Sequence, residues 1–438
     1  MTWRCLGFLA LAAICHITAS AAPDDAREAI LAATLQPYAG PVTKGVDAST
    51  LEGKVMCGYQ GWFNAEGDGA ERGWVHWTKK RGALADGNAK IDLWPDVSEL
   101  GADERFATGF QLADGKAAEV FSSFKAATVL RHFQWMREYG IDGAFVQRFA
   151  GGLRDPRVLR HNNVVLGHCR EGAHRNGRAY AVMYDLTGLG AGRIDEVMDD
   201  WRALRTRMRL GEDTAYLRHR GKPVVVVWGI GFNDGRAYTL AECLRLVEFL
   251  KSDPQVGGCT VMLGVPTYWR ELKADTVRDA ALHDVIKAAD IVSPWTVGRY
   301  RNPADAARYA EKTMQPDLAW CREHKLDFLP VVFPGFSWHN MKGDPLDMIP
   351  RLRGQFLWSQ FIAAKRGGAS MIYVAMFDEV DEGTAIFKCT NDVPVGATSK
   401  FLTYEGLPPD HYLKLTGLGA RLLRGEIPIT ESPPLALP

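Results

Sequence analysis

From Lys54 onward the chain alternates between short, almost continuously apolar runs and longer segments whose apolar residues recur at helical spacing. The runs are KVMCGYQ (54–60), GIDGAFVQRF (140–149), RAYAVMYD (178–185), KPVVVVWG (222–229), CTVMLGVP (259–266), DIVSPW (290–295), FLPVVFPGF (328–336) and ASMIYVAMF (369–377). The intervening segments, 125–139, 156–176, 193–210, 240–251, 274–288, 303–324, 347–365 and 409–423, read as helices. A strand apolar along its whole length is buried on both faces, and amphipathic helices between such strands specify a parallel sheet covered by helices. Eight repeats favour closure over an open sheet. The expectation is an α/β fold, a (β/α)₈ TIM barrel with an extended Gly- and Asp-rich loop after the first strand.

No stretch rich in Pro, Gly or Ser divides the 438 residues, so one domain is expected over 23–438. Residues 1–22 have the form of a secretory signal. Arg4 is followed by the apolar LGFLALAAI and by Ala19-Ser20-Ala21 as a small-residue cleavage site. No other stretch is long and apolar enough to span a membrane, so a secreted or periplasmic bacterial protein is expected. The formal net charge of zero gives no electrostatic case for nucleic acid or an acidic membrane surface. Six cysteines (57, 169, 243, 259, 321 and 389) follow the signal segment. An even count permits disulfides, but six cysteines allow fifteen pairings, and no C-x-x-C spacing suggests a zinc site.

The last apolar run breaks into Asp378-Glu379-Val380-Asp381-Glu382-Gly383. Carboxylates this crowded repel one another, so at least one should keep its proton towards neutral pH. A protonated and an ionised carboxyl side by side are what acid/base catalysis requires. The competing reading is a solvated or Ca²⁺-binding acidic loop, against which stands the lack of a D-x-D-x-D-G run. In a barrel the carboxyl ends of all strands share one rim, where catalytic groups collect. Those ends carry Tyr59, Trp62, Gln147, Arg148, Asp185, Trp228, Tyr268, Trp295, Trp338 and His339, while the loop after the first strand adds His76 and Trp77. Flat rings for C–H faces and polar groups for hydroxyls suit a carbohydrate. Trp228 or Trp295 could equally plug the barrel end, and Asp185 could cap the following helix. His76 and His339 fit hydrogen bonding better than metal ligation, having no H-E-x-x-H spacing. Neither a G-x-S-x-G nor a Walker motif occurs, and the GLGAG at 188–192 is too short and misplaced for a dinucleotide site.

FDEVDEGTAIF (377–387) resembles the F-N-E-W-H-E-G-T signature of glycoside hydrolase family 99, the endo-α-mannosidases, and of the related family 71, the α-1,3-glucanases. GYQGWF, GWVHW, VLRHFQWMREYGIDGAFVQRF and GKPVVVVW resemble further segments of that family, so the likeness runs thinly from about residue 54 to 388. It implies a barrel acting on glycans with no cofactor or metal. By position the two catalytic glutamates fall on Glu379 and Glu382. The implied mechanism is retaining: Glu379 takes the proton of the sugar's 2-hydroxyl to form a 1,2-anhydro sugar, and Glu382 serves as acid and then base. A conventional covalent intermediate is the alternative. This chain departs from the signature in having Asp378 for Asn and Val380-Asp381 for Trp-His. That variant resembles a bacterial branch described as xylosidase/arabinosidase. Asp378 and Asp381 are expected to shape the sugar site.

Overall fold

The computed structural model describes residues 23–435, so the expected export segment 1–22 lies outside the described residues. Each apolar run contains a strand: β1 Val55–Tyr59, β2 Gly143–Phe149, β3 Ala179–Asp185, β4 Lys222–Trp228, β5 Thr260–Val265 and β6 Ile291–Pro294. β7 comprises two pieces, Asp327–Phe328 and Val331–Val332, and β8 is Ile372–Val374. All neighbours in this sheet pair in parallel in chain order. The first piece of β7 pairs with β6 and the second with β8, which pairs with β1, so the sheet closes on itself. The chain is a (β/α)₈ barrel. Its valine-rich strands are buried along both faces because the barrel interior lies on one side and the helices on the other.

Helix ends follow local chemistry. Asp155 caps Pro156–Asn176 through the amides of Arg157 and Val158, Pro156 fits the first helical position, and Gly177 (φ +57°) ends it left-handed. Thr239 and Glu242 form a capping box on Leu240–Ser252.

Four elements differ from the sequence expectation. The run expected as a strand over 328–336 is broken because Pro330 has no N–H to donate to a ladder. The helix expected over 303–324 is interrupted by a π turn, Ala310–Met314, just before Pro316. The helix expected from 274 starts only at Ala281, and the one expected from 347 starts at Gln355. In the second case Ile349 is held extended by paired hydrogen bonds with Phe336 and is followed by Pro350. Elements with no sequence expectation include a helix, Pro23–Thr34, in the polar lead-in, an antiparallel hairpin, Arg105–Gln111 with Ala117–Phe121, inside the long loop, the short strand Arg218–His219 running antiparallel to β4, and the helix His339–Lys342. All six cysteines are buried free thiols rather than disulfides.

Candidate active site

The acidic turn follows β8 directly and is packed on every side. Asp378 is fully buried; its Oδ1 accepts from the Gln60 amide (2.8 Å) and its Oδ2 from the Gly61 amide (2.9 Å). That carboxyl therefore joins the end of β8 to the end of β1 rather than facing a ligand. Burial, against the pull of those amides, pushes it up to about 7. Gly383 (φ +66°) sits against the Ser337 backbone, where an added Cβ would come within 3.0 Å of the Ser337 nitrogen. Only glycine fits both that turn and that contact.

Glu379 is 2% exposed and held at both oxygens: Gln60 Nε2 donates to Oε1 (2.5 Å) and Thr384 Oγ1 to Oε2 (2.9 Å). Burial, followed by repulsion from Glu382 and Asp381, raises it well above the usual carboxylate range. Glu382 is half-buried, and burial together with the Asp381 charge lifts it to about 7. Asp381 behaves oppositely. Burial alone would raise it, but His76 Nδ1 at 3.0 Å and the Lys90 ammonium at 3.2 Å from Oδ2 override this and hold it ionised. His76 stacks on Trp62 with ring centroids 3.6 Å apart, and burial lowers its pKa despite Asp381. The turn thus carries one fixed anion, Asp381, beside three carboxyls that take up protons readily, of which Asp378 is committed to backbone amides.

These four carboxylates do not converge. Asp378 engages amides, Asp381 engages His76 and Lys90, and Glu379 engages Gln60 and Thr384. Among the described residues no cluster of three or more His, Cys, Asp or Glu is placed to hold a metal ion. The Ca²⁺ reading has no geometric basis.

Residues on a strand point alternately to the two faces of the sheet, and this sorts the remaining candidates. Gln147, Asp185, Trp228, Trp295, Trp338 and Trp62 are half-buried at the barrel mouth. Trp228 and Trp295 meet edge to face (5.5 Å), and Gly264 gives the Trp228 ring its room, since a Cβ there would come within 2.3 Å of it. The charge of Asp185 is felt at Glu382, and Trp338 lies beside that same carboxyl and lowers its pKa. Several buried polar atoms here have no hydrogen-bond partner: Gln60 Oε1, Gln147 Oε1, and the indole nitrogens of Trp62 and Trp228. Orphaned groups of this kind are costly unless a ligand or water satisfies them.

Four candidates are not brought to the mouth. Tyr59 faces the helix layer, with its hydroxyl 2.9 Å from His132 Nδ1. Trp77 is fully buried against Phe63 and Phe121. Arg148 points outward into a buried pair with Asp200, its Nε and Nη2 each 2.5 Å from a carboxylate oxygen. The His339 ring turns to the Asp344 carbonyl (2.8 Å). Tyr268 stays on the rim, with the Lys273 ammonium 5.3 Å above its ring. Conversely, Gln60, Lys90 and Thr384 contact the acidic turn without having been singled out. Strand parity would have found Gln60, because Tyr59 and Gln60 must face opposite ways. No local signal marks Lys90, which reaches the turn because the amides of Asp92 and Leu93 donate to the Val380 carbonyl (3.0 and 3.3 Å) and fold the long loop back over it.

No protein-family model matches the chain, and no curated protein matches it in sequence. Similar solved structures include the GH99 endo-alpha-mannosidase from Bacteroides thetaiotaomicron, with a TM-score of 0.62, 15% identity, and coverage of 86% of this chain and 99% of that one. The enzyme in complex with Bis-Tris-propane gives 0.61, 16% identity and coverage of 86% and 99%. A protein described as glycoside hydrolase-like gives 0.53, 15% identity and coverage of 89% and 98%. What this chain shares with them at such identities is the barrel fold over nearly their whole length.

Proposed function

We propose that this protein is a glycoside hydrolase that cleaves a poly- or oligosaccharide, with Glu379 and Glu382 as its carboxylate pair. The observation that carries this reading is the pairing of a proton-holding Glu382 with a rigidly held Glu379 at the carboxyl end of β8, beneath a mouth of half-buried tryptophans. The orphaned indole and amide groups match the hydroxyls of a sugar, and the rings match its C–H faces. The resemblance at 377–387 and the likeness to glycoside hydrolase structures point the same way.

Glu382, half-buried and lifted to about 7, is the proton donor to the leaving oxygen and then the base for water. Glu379, fixed by Gln60 and Thr384, acts on the opposite side of the anomeric centre. With the proton on Glu382, the repulsion between the two glutamates is relieved and Glu379 is the ionised partner. It either draws the proton from the sugar's own 2-hydroxyl or attacks directly, and both routes retain configuration. Asp381 stays ionised and keeps the proton on Glu382. Export follows from residues 1–22 and is checked by N-terminal sequencing of the mature protein.

Reducing-sugar release from plant, fungal and bacterial glycans, with wild type beside Glu379→Gln and Glu382→Gln, tests the assignment. Activity on one glycan that falls by about 10²-fold or more in either variant is expected, and proton NMR of the first product should show retained anomeric configuration. Activity untouched by both changes would overturn the pair. Tight glycan retention with no release by wild type would make the chain a non-hydrolytic glycan-binding barrel.

A further inference from the structure

Beside the acidic turn, the long loop after β1 and the start of the helix Pro156–Asn176 line an open cleft of about 820 Å³. This is within the roughly 300–1,000 Å³ range of small-ligand sites. His76 and Lys90 belong both to its wall and to the Asp381 cluster, so the cavity adjoins the acidic turn through these two side chains, although none of the four carboxylates lines it.

Its wall carries an excess of positive charge in a chain of zero net charge. Six cations line it: Arg72, Lys79, Lys80, Arg81, Lys90 and Arg157. Three carboxylates oppose them. Of these Asp155 is committed to capping the helix, through the amides of Arg157 and Val158. Among the described residues only Lys90 of the six forms an ion pair within the protein, with Asp381. Arg72 is half-buried and its guanidinium donates to the side-chain oxygen of Asn64 (2.8 Å); burial lowers its pKa against the charges of Asp155 and Asp68, neither of which it pairs with directly. Six cations facing three carboxylates leave an excess of positive charge, a repulsion that an anionic ligand relieves. Guanidinium groups suit oxyanions in particular, because their forked N–H donors match carboxylate and sulfate oxygens.

We propose that this cavity is a subsite for an acidic sugar, so that the substrate is a glycan bearing uronate or sulfate groups. The inference rests on the glycoside hydrolase reading and adds the substrate class to it. It also fixes where the acidic group sits. The ionised Asp381 and the ionised member of the glutamate pair repel a negative sugar at the point of cleavage, so the charged residue occupies the cavity, away from the bond that breaks.

The test uses the Glu379→Gln protein, in which binding is separated from cleavage. Titration calorimetry compares oligogalacturonate, a chondroitin sulfate oligosaccharide and a neutral mannan oligosaccharide. Each is titrated at low and at high salt, where exposed charges are screened. At least one acidic ligand should bind more tightly than mannan, and the arm that responds distinguishes carboxylate from sulfate. Its affinity should fall by about 10-fold or more in Lys79→Gln/Lys80→Gln/Arg81→Gln and with added salt, as expected for binding dominated by charge. These three side chains are exposed, so the triple variant should melt as its parent does; Arg157→Gln provides a second, independent neutralisation. Acidic ligands that bind no better than mannan, or equally well to both neutralised variants, would overturn the proposal while leaving Glu379-dependent cleavage intact. If instead Glu379→Gln cleaves as wild type does while charge-dependent binding persists, the carboxylate assignment falls and the subsite stands.

Discussion

Arg148 is where strand position and tertiary structure give different answers, and a thermodynamic cycle separates them. As a strand-end residue it reads as a sugar contact. In the fold its guanidinium is 2% exposed and clamped in a fork by Asp200, which also accepts from the Tyr184 hydroxyl (2.7 Å), while Asn163 Oδ1 takes a further Nη2 bond (2.7 Å). Asp200→Leu strips both carboxylate oxygens from a cation with no route to water. Breaking one side of such a buried pair costs about 3–5 kcal/mol, mostly through the charge left behind. Arg148→Met leaves the reverse defect, a fully buried carboxylate with one hydroxyl donor, and should cost a similar amount. The double variant Arg148→Met/Asp200→Leu buries no charge. What remains is the unpaired Tyr184 hydroxyl and Asn163 carbonyl, so the double change should cost less than the two singles together, with a coupling of about 2 kcal/mol or more. Urea unfolding followed by tryptophan fluorescence reads these differences, and kcat/KM per folded molecule should change by less than about 3-fold in all three. Additive single effects would refute the pairing argument. So would an Arg148→Met protein that unfolds like wild type yet has a much raised KM.

Other outcomes follow from the same geometry. A proton donor lifted to about 7 makes kcat/KM fall as pH rises through that value; Asp381→Asn removes the charge that raises Glu382 and frees the Lys90 ammonium, so this alkaline limb should move down by about one unit. An unmoved or raised limb in the pH–rate profile contradicts this. Asp378→Asn cannot accept from both the Gln60 and Gly61 amides and should cost about 1–3 kcal/mol at acidic pH. Because folding raises Asp378 from an ordinary 3.8 to about 7, its contribution is greatest below pH 3.8 and is lost as pH rises through 7. The stability gap between wild type and Asp378→Asn, measured by denaturant titration, should therefore narrow across that window. Tyr59→Phe loses only the contact to His132 and should cost about 1 kcal/mol in stability without altering turnover; a large fall in kcat would return Tyr59 to the site.

The eight barrel strands and the acidic turn were legible because both are local. An apolar run such as KPVVVVW can satisfy itself only as a strand covered on both sides, and four carboxylates within five residues perturb one another wherever the chain goes. Helix starts and stops were legible where caps announce them, as at Asp155 and Thr239, and element bounds failed where Pro316 and Pro350 broke a helical pattern and Pro330 a strand. Which strand-end residues face the mouth was only half legible. Parity along a strand separates Gln147 from Arg148, but which of the two points inward depends on where the helices pack. The partners of the acidic turn were not legible at all. His76 and Lys90 lie about three hundred residues before Asp381, and they reach it only because closure of the barrel sets β1 beside β8 and the loop after β1 hydrogen-bonds back over Val380. Periodicity and local charge are properties of neighbours in sequence; the protonation of Glu379 and Glu382 is set by burial and by charges that only the closed barrel brings within reach.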